Sequence, residues 1–204
     1  ACSRNQKVPE AQELKPTEQI KFFQSKEYPL RIDFIEGTKA LVEESPDSLN
    51  VFIDLTEEFP EFMENSEPPF RAFMFDIVFS TSISAEIRDL SQTVSKFLEK
   101  PRETTFGNIP ALEFAQDQSA FYILLIPGAY HHLYAIDMGA KLKDFENFDS
   151  FDKRSTELRR QMLQRITWQK PIDVNSQEFK DWKAHILSLI KEARKAKEKD
   201  GKQN

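Results

Sequence analysis

The stretch that most limits what this chain can fold into is Arg71 to Lys100. Arg71-Ala-Phe-Met-Phe-Asp-Ile-Val-Phe79 sets Phe73, Phe75, Ile77 and Phe79 on one face of an extended chain, with Ala72, Met74 and Val78 on the other. Two apolar faces are expected of an interior strand, covered from both sides. After Ser80-Thr81-Ser82, the residues Ile83, Ile87, Leu90, Val94, Phe97 and Leu98 recur at helical spacing, giving one apolar stripe. A buried strand running straight into a one-sided helix calls for a layered domain of sheet against helix. Neither segment carries chemistry.

The remaining segments fill in the layers. Ile20–Gln24 and Leu30–Ile35 read as strands about Ser25–Pro29, the second with Leu30, Ile32 and Phe34 inward. Thr38–Glu43 is ambiguous, and Asn50–Leu55 is a strand with Val51, Ile53 and Leu55 on one face. Thr104–Phe106 and Ile109–Phe114 form a hairpin about Gly107-Asn108, residue types that accept a positive φ. Ser119–Ile126 and Tyr130–Met138 flank the turn Pro127-Gly128-Ala129, so four closely spaced strands predict an antiparallel meander. Phe151–Trp168 reads as a helix with Leu158, Met162, Leu163 and Ile166 as its stripe, broken from a last helix by Pro171 and Asp173. That last helix runs from an N-cap at Ser176 to Lys199, with Phe179, Trp182, Ile186, Leu189, Ile190 and Ala193 on one side. The fold class is therefore α+β, an antiparallel sheet flanked by helices.

Composition decides which functions are improbable. With 18 Phe but 5 Gly, 3 His and 1 Cys, the chain can build a core of large rings but has few residues for a catalytic or phosphate-binding site. The net charge of −6 is unevenly spread: 14 of the 28 Lys and Arg, but only 8 of the 34 Asp and Glu, follow Phe151. Glu43–Glu67 holds nine acids and no base. Those acids are scattered through a loop without EF-hand spacing, so they predict a solvated face more than a calcium site. The basic surplus sits on a terminal helix with no nucleic-acid motif, which argues against nucleic acid as partner. No apolar run approaches the roughly 18 residues of a membrane span.

The start of the chain is informative in another way. Cys2, the only cysteine, precedes a polar segment with Pro9 and Pro16, a composition unsuited to a core. It looks like the mature start of a bacterial lipoprotein, with Cys2 the lipid-bearing residue and Ala1 either the last signal-peptide residue or a remnant of expression. Acyl chains contribute roughly 0.8 kcal/mol per buried methylene, so several of them anchor a domain firmly. The expected organisation is a tether over 1–18, an α/β domain over 19–170 and a helical extension with a frayed basic tail over 171–204.

The search for chemistry returns surfaces. His131 and His132 are neighbours in a strand, so they face opposite sides and cannot jointly chelate one metal in regular geometry; a metal role would need a bulge there or a third ligand such as Asp137. No Gly-x-Ser-x-Gly elbow or phosphate-binding loop occurs. Glu57 and Glu58 belong to a solvated loop, where a raised pKa is not expected. Phe59, Phe62, Met63 and Phe70 lie among the acids of that loop, either folded back on the sheet edge or forming a partner patch. Phe145, Phe148 and Phe151, spaced by three, pose the same choice, and core is the expectation.

The segments SKEYPLRIDFIEG, FRAFMFDIVFSTSISAEIRDLSQTVSKFLEK, TTFGNIPALEFAQ, FYILLIPGAYHHLYAID and FDSFDKRSTELRRQMLQRITW, in this order, resemble the PsbP and DcrB-type superfamily across Ile20–Trp168. Where that family often carries Pro-x-x-Trp, this chain has Ile35-Glu-Gly-Thr38. The resemblance implies an α/β/α sandwich used as an interaction module, as in accessory subunits, envelope lipoproteins and chaperone-like adaptors for apolar segments. It transfers no catalytic or binding residue. The reading is a non-enzymatic envelope protein anchored through a lipid on Cys2, without cofactor, metal or small-molecule substrate, and holding a protein partner near a membrane. The rival readings are a ligand- or divalent-metal-binding envelope protein and a chaperone-like adaptor.

Overall fold

The computed structural model describes residues 17–55, 57–60, 73–80, 100–116, 119–137 and 146–200. Cys2, Phe62, Met63, Phe70, Phe145 and the expected helix after Ser82 lie outside the described residues. Among those described, the elements in order are β1 (Glu18–Gln19), β2 (Phe22–Gln24), β3 (Leu30–Asp33), β4 (Lys39–Glu44), β5 (Ser48–Asp54) and β6 (Phe73–Ser80). There follow β7 (Arg102–Phe106), β8 (Ile109–Gln116), β9 (Ser119–Ile126), β10 (Ala129–Asp137), α1 (Phe148–Leu163), β11 (Ile166–Trp168) and α2 (Gln177–Asp200). The fold is α+β, with antiparallel sheets and helices on both faces of the larger one.

The strand expected to be interior is interior. β6 pairs with β5 on one side and β10 on the other, and Ile77 is fully buried at its middle. The eight strands of the large sheet follow the order β1-β4-β5-β6-β10-β9-β8-β7, and β10 to β7 form the expected meander. The ambiguous Thr38–Glu43 stretch resolves as β4, paired with β5 from Lys39↔Asp54 to Glu44↔Leu49. Its Ala40 enters the core beside Ile53, which tertiary pairing fixes and its short local pattern did not.

Alternation along the strands divides the core in two. Leu49, Val51, Ile53, Tyr122, Leu124, Leu133 and Ala135 point to the face covered by Phe151, Leu158, Met162 and Leu163 of α1. Leu112, Phe114, Phe121, Ile123, Leu125 and Tyr130 point to the opposite face, covered by Phe179, Ile186 and Ile190 of α2. The stripe read on the last helix is therefore its buried side. Ser176 caps it: the Phe179 amide donates to Ser176 Oγ at 3.1 Å, and that hydroxyl donates to the Asp173 carbonyl at 2.7 Å.

One expected helix proves shorter than its pattern. Phe151–Trp168 is not continuous, because α1 ends at Leu163 and Ile166–Trp168 is strand β11, paired with β3 from Ile166↔Ile32 to Trp168↔Leu30. Ile166 fits a helical stripe, but Ile166-Thr-Trp168 also alternates, with both ends buried and Thr167 between. The open side of β3 decides the matter. With β2 beyond it, this gives a separate three-stranded sheet, order β11-β3-β2, on the α1 side of the core. The β7–β8 hairpin docks on it. Asn108 Nδ2 donates to the Trp168 carbonyl at 2.6 Å, and the Trp168 amide donates to Asn108 Oδ1 at 2.8 Å.

Candidate functional site

His131 and His132 face opposite sides of β10, as their adjacency dictates. His131 is buried between the rings of Tyr28 (centroids 5.7 Å) and Trp168 (5.8 Å), and its Nδ1 donates to the Tyr130 carbonyl at 2.8 Å. Burial pushes its pKa below the usual imidazole value, opposed by that bond to the carbonyl. His132 lies on the other face against Phe121, centroids 5.2 Å apart. No group of three His, Cys, Asp or Glu side chains among the described residues could hold a metal ion.

The acids of the Glu43–Glu67 region that are described are tied locally. Glu44 accepts from the Ser25 hydroxyl and from the Lys26 amide, and Asp47 accepts from Ser45 Oγ at 2.9 Å. Thr17 donates to Asp54, and Lys39 pairs with Glu57. Arg154 reaches across from α1 and grips Glu58 with two bonds of 2.8 and 3.0 Å. The next residue, Phe59, sets its ring edge-on against Phe151 at 5.4 Å, part of the core margin. Of the four patch candidates, the described one thus turns inward. Phe151 is core, as expected of its spacing, and Phe148 is partly buried against that core. A cleft of about 150 Å³ is lined by Lys39, Asp54, Glu57, Glu58 and Arg154, with Lys39 paired to Glu57 and Arg154 to Glu58.

A larger cleft, about 250 Å³, opens at the β7 edge where α1 crosses the sheet. Register builds it. Arg102 lies opposite Glu113, and Glu113 opposite Tyr122, so three side chains from β7, β8 and β9 line up across the sheet. Arg102 Nε donates to Glu113 Oε2 at 2.8 Å, and Tyr122 OH donates to Glu113 Oε1 at 3.2 Å, engaging both carboxylate oxygens. Burial, then the neighbouring Glu113 carboxylate, drives the Tyr122 pKa upward, so the phenol stays a neutral donor. Its ring meets Phe106 edge-on at 5.4 Å.

The opposite wall comes from Thr156, Arg159, Arg160 and Leu163 of α1 and from Gln164 just after it. Arg160 donates to Glu157 with bonds of 3.0 and 2.7 Å, and together with Gln161 it holds that carboxylate near a pKa of about 2. Gln164 Nε2 donates to the Thr105 carbonyl at 3.0 Å, fixing the helix end to β7. Arg159 is different: its Nη1 is shut off from solvent and has no hydrogen-bond partner. None of these cleft residues stands out in the sequence as a site. The one available signal is Glu113, a charged residue among core-facing positions of a strand.

The chain matches no family model and no curated protein. Among solved structures it is similar to a crystal structure of a protein from Bacteroides thetaiotaomicron, at 9% identity and a TM-score of 0.34. That match covers 75% of this chain, and the chain spans half the length of the other protein.

Proposed function

We propose that the protein is a non-enzymatic, lipid-anchored envelope protein that holds a protein partner near a membrane, on a PsbP/DcrB-like domain. The observation that carries this reading is how the domain disposes of its charge. Arg31 pairs with Asp33, Lys39 with Glu57, Arg102 with Glu113, Arg154 with Glu58, Arg160 with Glu157 and Lys183 with Glu103. Carboxylates matched by cations at an accessible surface suit a scaffold that presents faces, since a proton-transfer site needs a group driven toward neutral pKa. Cys2 adds the attachment, ahead of the first strand by a polar segment long enough to reach on the order of 20 Å. No helix among the described residues is long and apolar enough to cross a membrane.

The test is made on the natural precursor in its own cell. Labelling with an alkyne palmitate analogue should mark the wild-type protein, and Cys2→Ser should abolish the label and release the protein from the membrane fraction. An unlabelled wild-type protein overturns the anchor. A photo-crosslinking residue at position 62, 63 or 70 should give a discrete protein adduct. Failure at all three positions refutes the acidic loop as the docking surface.

A further inference from the structure

We propose that one flank of α2 is a docking surface for an anionic lipid bilayer, met by Lys180, Lys191 and Lys195 around the exposed Leu187. The inference deepens the membrane-tethered reading and rests on it for the nearness of a bilayer. The observation that carries it is how α2 sorts its charges. The buried side of the helix, with Phe179, Ile186 and Ile190, is fixed against the sheet. At 3.6 residues per turn, Lys183, Arg194, Leu187, Lys180, Lys191 and Lys195 then fall within about 120° of the circumference, and over 177–195 no acid shares that arc. Glu178, Asp181 and Glu192 all lie on the neighbouring flank.

The cations of this arc are available. Lys183 is paired with Glu103 at 2.7 Å, but Lys180, Lys191 and Lys195 are exposed and form no ion pair among the described residues. Leu187, in their midst, is 37% exposed, an apolar side chain suited to the boundary between water and acyl chains. The helix also outlasts its core. Ile190 is the last large apolar residue of the sequence, yet α2 runs on to Asp200, about 15 Å further, so the basic stretch expected to fray is helix.

Charge complementarity names the occupant. An anionic bilayer attracts each lysine held near it, and a flat surface can meet a row about 22 Å long at once. The acids described in the 43–67 region sit on or beside β4 and β5, and β5 is three strands from β9, which α2 covers. Three strand spacings make about 14 Å, more than the Debye length of about 10 Å at 0.1 M salt, so those acids oppose the approach little.

The experiment uses the full chain without lipid, so that Cys2 plays no part, and vesicles of phosphatidylcholine alone or with about one quarter phosphatidylglycerol. At about 0.1 M salt, flotation should show binding to the anionic vesicles at least about tenfold tighter than to the neutral ones. The preference should vanish at about 1 M salt, where the Debye length falls to about 3 Å. Lys180→Glu, Lys191→Glu and Lys195→Glu together should erase it, with melting like the wild type. A second reading does not depend on that variant. In a Cys2→Ser chain, an environment-sensitive dye on Leu187→Cys should shift to the blue with anionic vesicles, and one on Glu178→Cys, on the other flank, should not. Equal binding to the two vesicle types, a preference kept by the folded lysine variant, no shift at 187, or a shift at 178 would each overturn the proposal. Capture by poly-glutamate without binding to vesicles would overturn it in favour of an acidic protein partner. Vesicle binding is read without acylation and acylation without vesicles, so this inference and the Cys2 anchor fail separately.

Discussion

Replacing Gly107 by Ala tests the joint between the two sheets. Gly107 sits in the β7–β8 turn with φ +57°, a conformation that costs an L-residue roughly 1–2 kcal/mol. A Cβ there would also lie 1.9 Å from the Ile166 carbonyl oxygen, well inside any van der Waals approach. That oxygen is backbone of β11 and cannot swing aside like a side-chain tip. Either β11 or the hairpin must move, stretching the Asn108–Trp168 bonds and adding an overpacking cost of about 1–3 kcal/mol. Gly128 supplies the control: its φ is +77°, but a Cβ there meets nothing within 4 Å. Urea unfolding should therefore place Gly107→Ala about 2–5 kcal/mol below wild type and Gly128→Ala only about 1–2 kcal/mol below. Trp168 emission should shift in the first variant alone, measured in a Trp182→Phe background. Equal losses for the two glycines would refute the close approach and leave only the backbone conformation as a cause.

Other perturbations probe other joints. Because burial lowers the folded-state pKa of His131 below the unfolded value near 6.5, its contribution is complete above that pH. It is lost as pH falls from about 6.5 toward the folded-state pKa, at up to about 1.4 kcal/mol per unit, and urea titrations of His131→Gln should lack this component. Ile186→Ala, on the buried side of α2, should cost about 2–5 kcal/mol in a single cooperative transition. A loss under about 0.5 kcal/mol would mean that α2 does not share the core. Arg154→Met removes a partly exposed pair, so stability should fall by no more than about 1 kcal/mol, while Phe59 protection in side-chain NMR weakens with it.

Most of the longer strands were readable from local pattern because a two-residue period is distinct from the 3.6-residue period of a helix. Leu30, Ile32 and Phe34, and likewise Val51, Ile53 and Leu55, sit where alternation placed them. Ser176 capped the helix it was expected to cap. The failures fall where a short segment meets a distant partner. β1 is two residues long and exists only by pairing with β4, and Ile166–Trp168 is taken from the end of a helical pattern by the free edge of β3. No local period distinguishes three residues of strand from the last turn of a helix, since both bury Ile166. Gly107-Asn108 was legible as a turn, but its second role, docking on β11, depends on a contact some sixty residues away.

The cleft illustrates the same limit at the level of function. Arg102, Glu113 and Tyr122 become neighbours only through the registers of β7, β8 and β9, and Arg159 joins them only because α1 crosses that end of the sheet. In sequence, Arg159-Arg160 looks like the solvated side of an amphipathic helix, and for Arg160, paired with Glu157 one turn earlier, that reading holds. Glu113 departs from its surroundings: Ile109, Ala111 and Glu113 share one face of β8, and the first two are buried. A carboxylate on a core-facing row must either find donors or destabilise the strand. Its donors, Arg102 and Tyr122, were therefore implied by Glu113 once the meander was known, since an antiparallel register leaves few residues opposite. Arg159 was not implied by anything local. Its Nη1 is buried without an acceptor, an outcome that only the assembled fold determines.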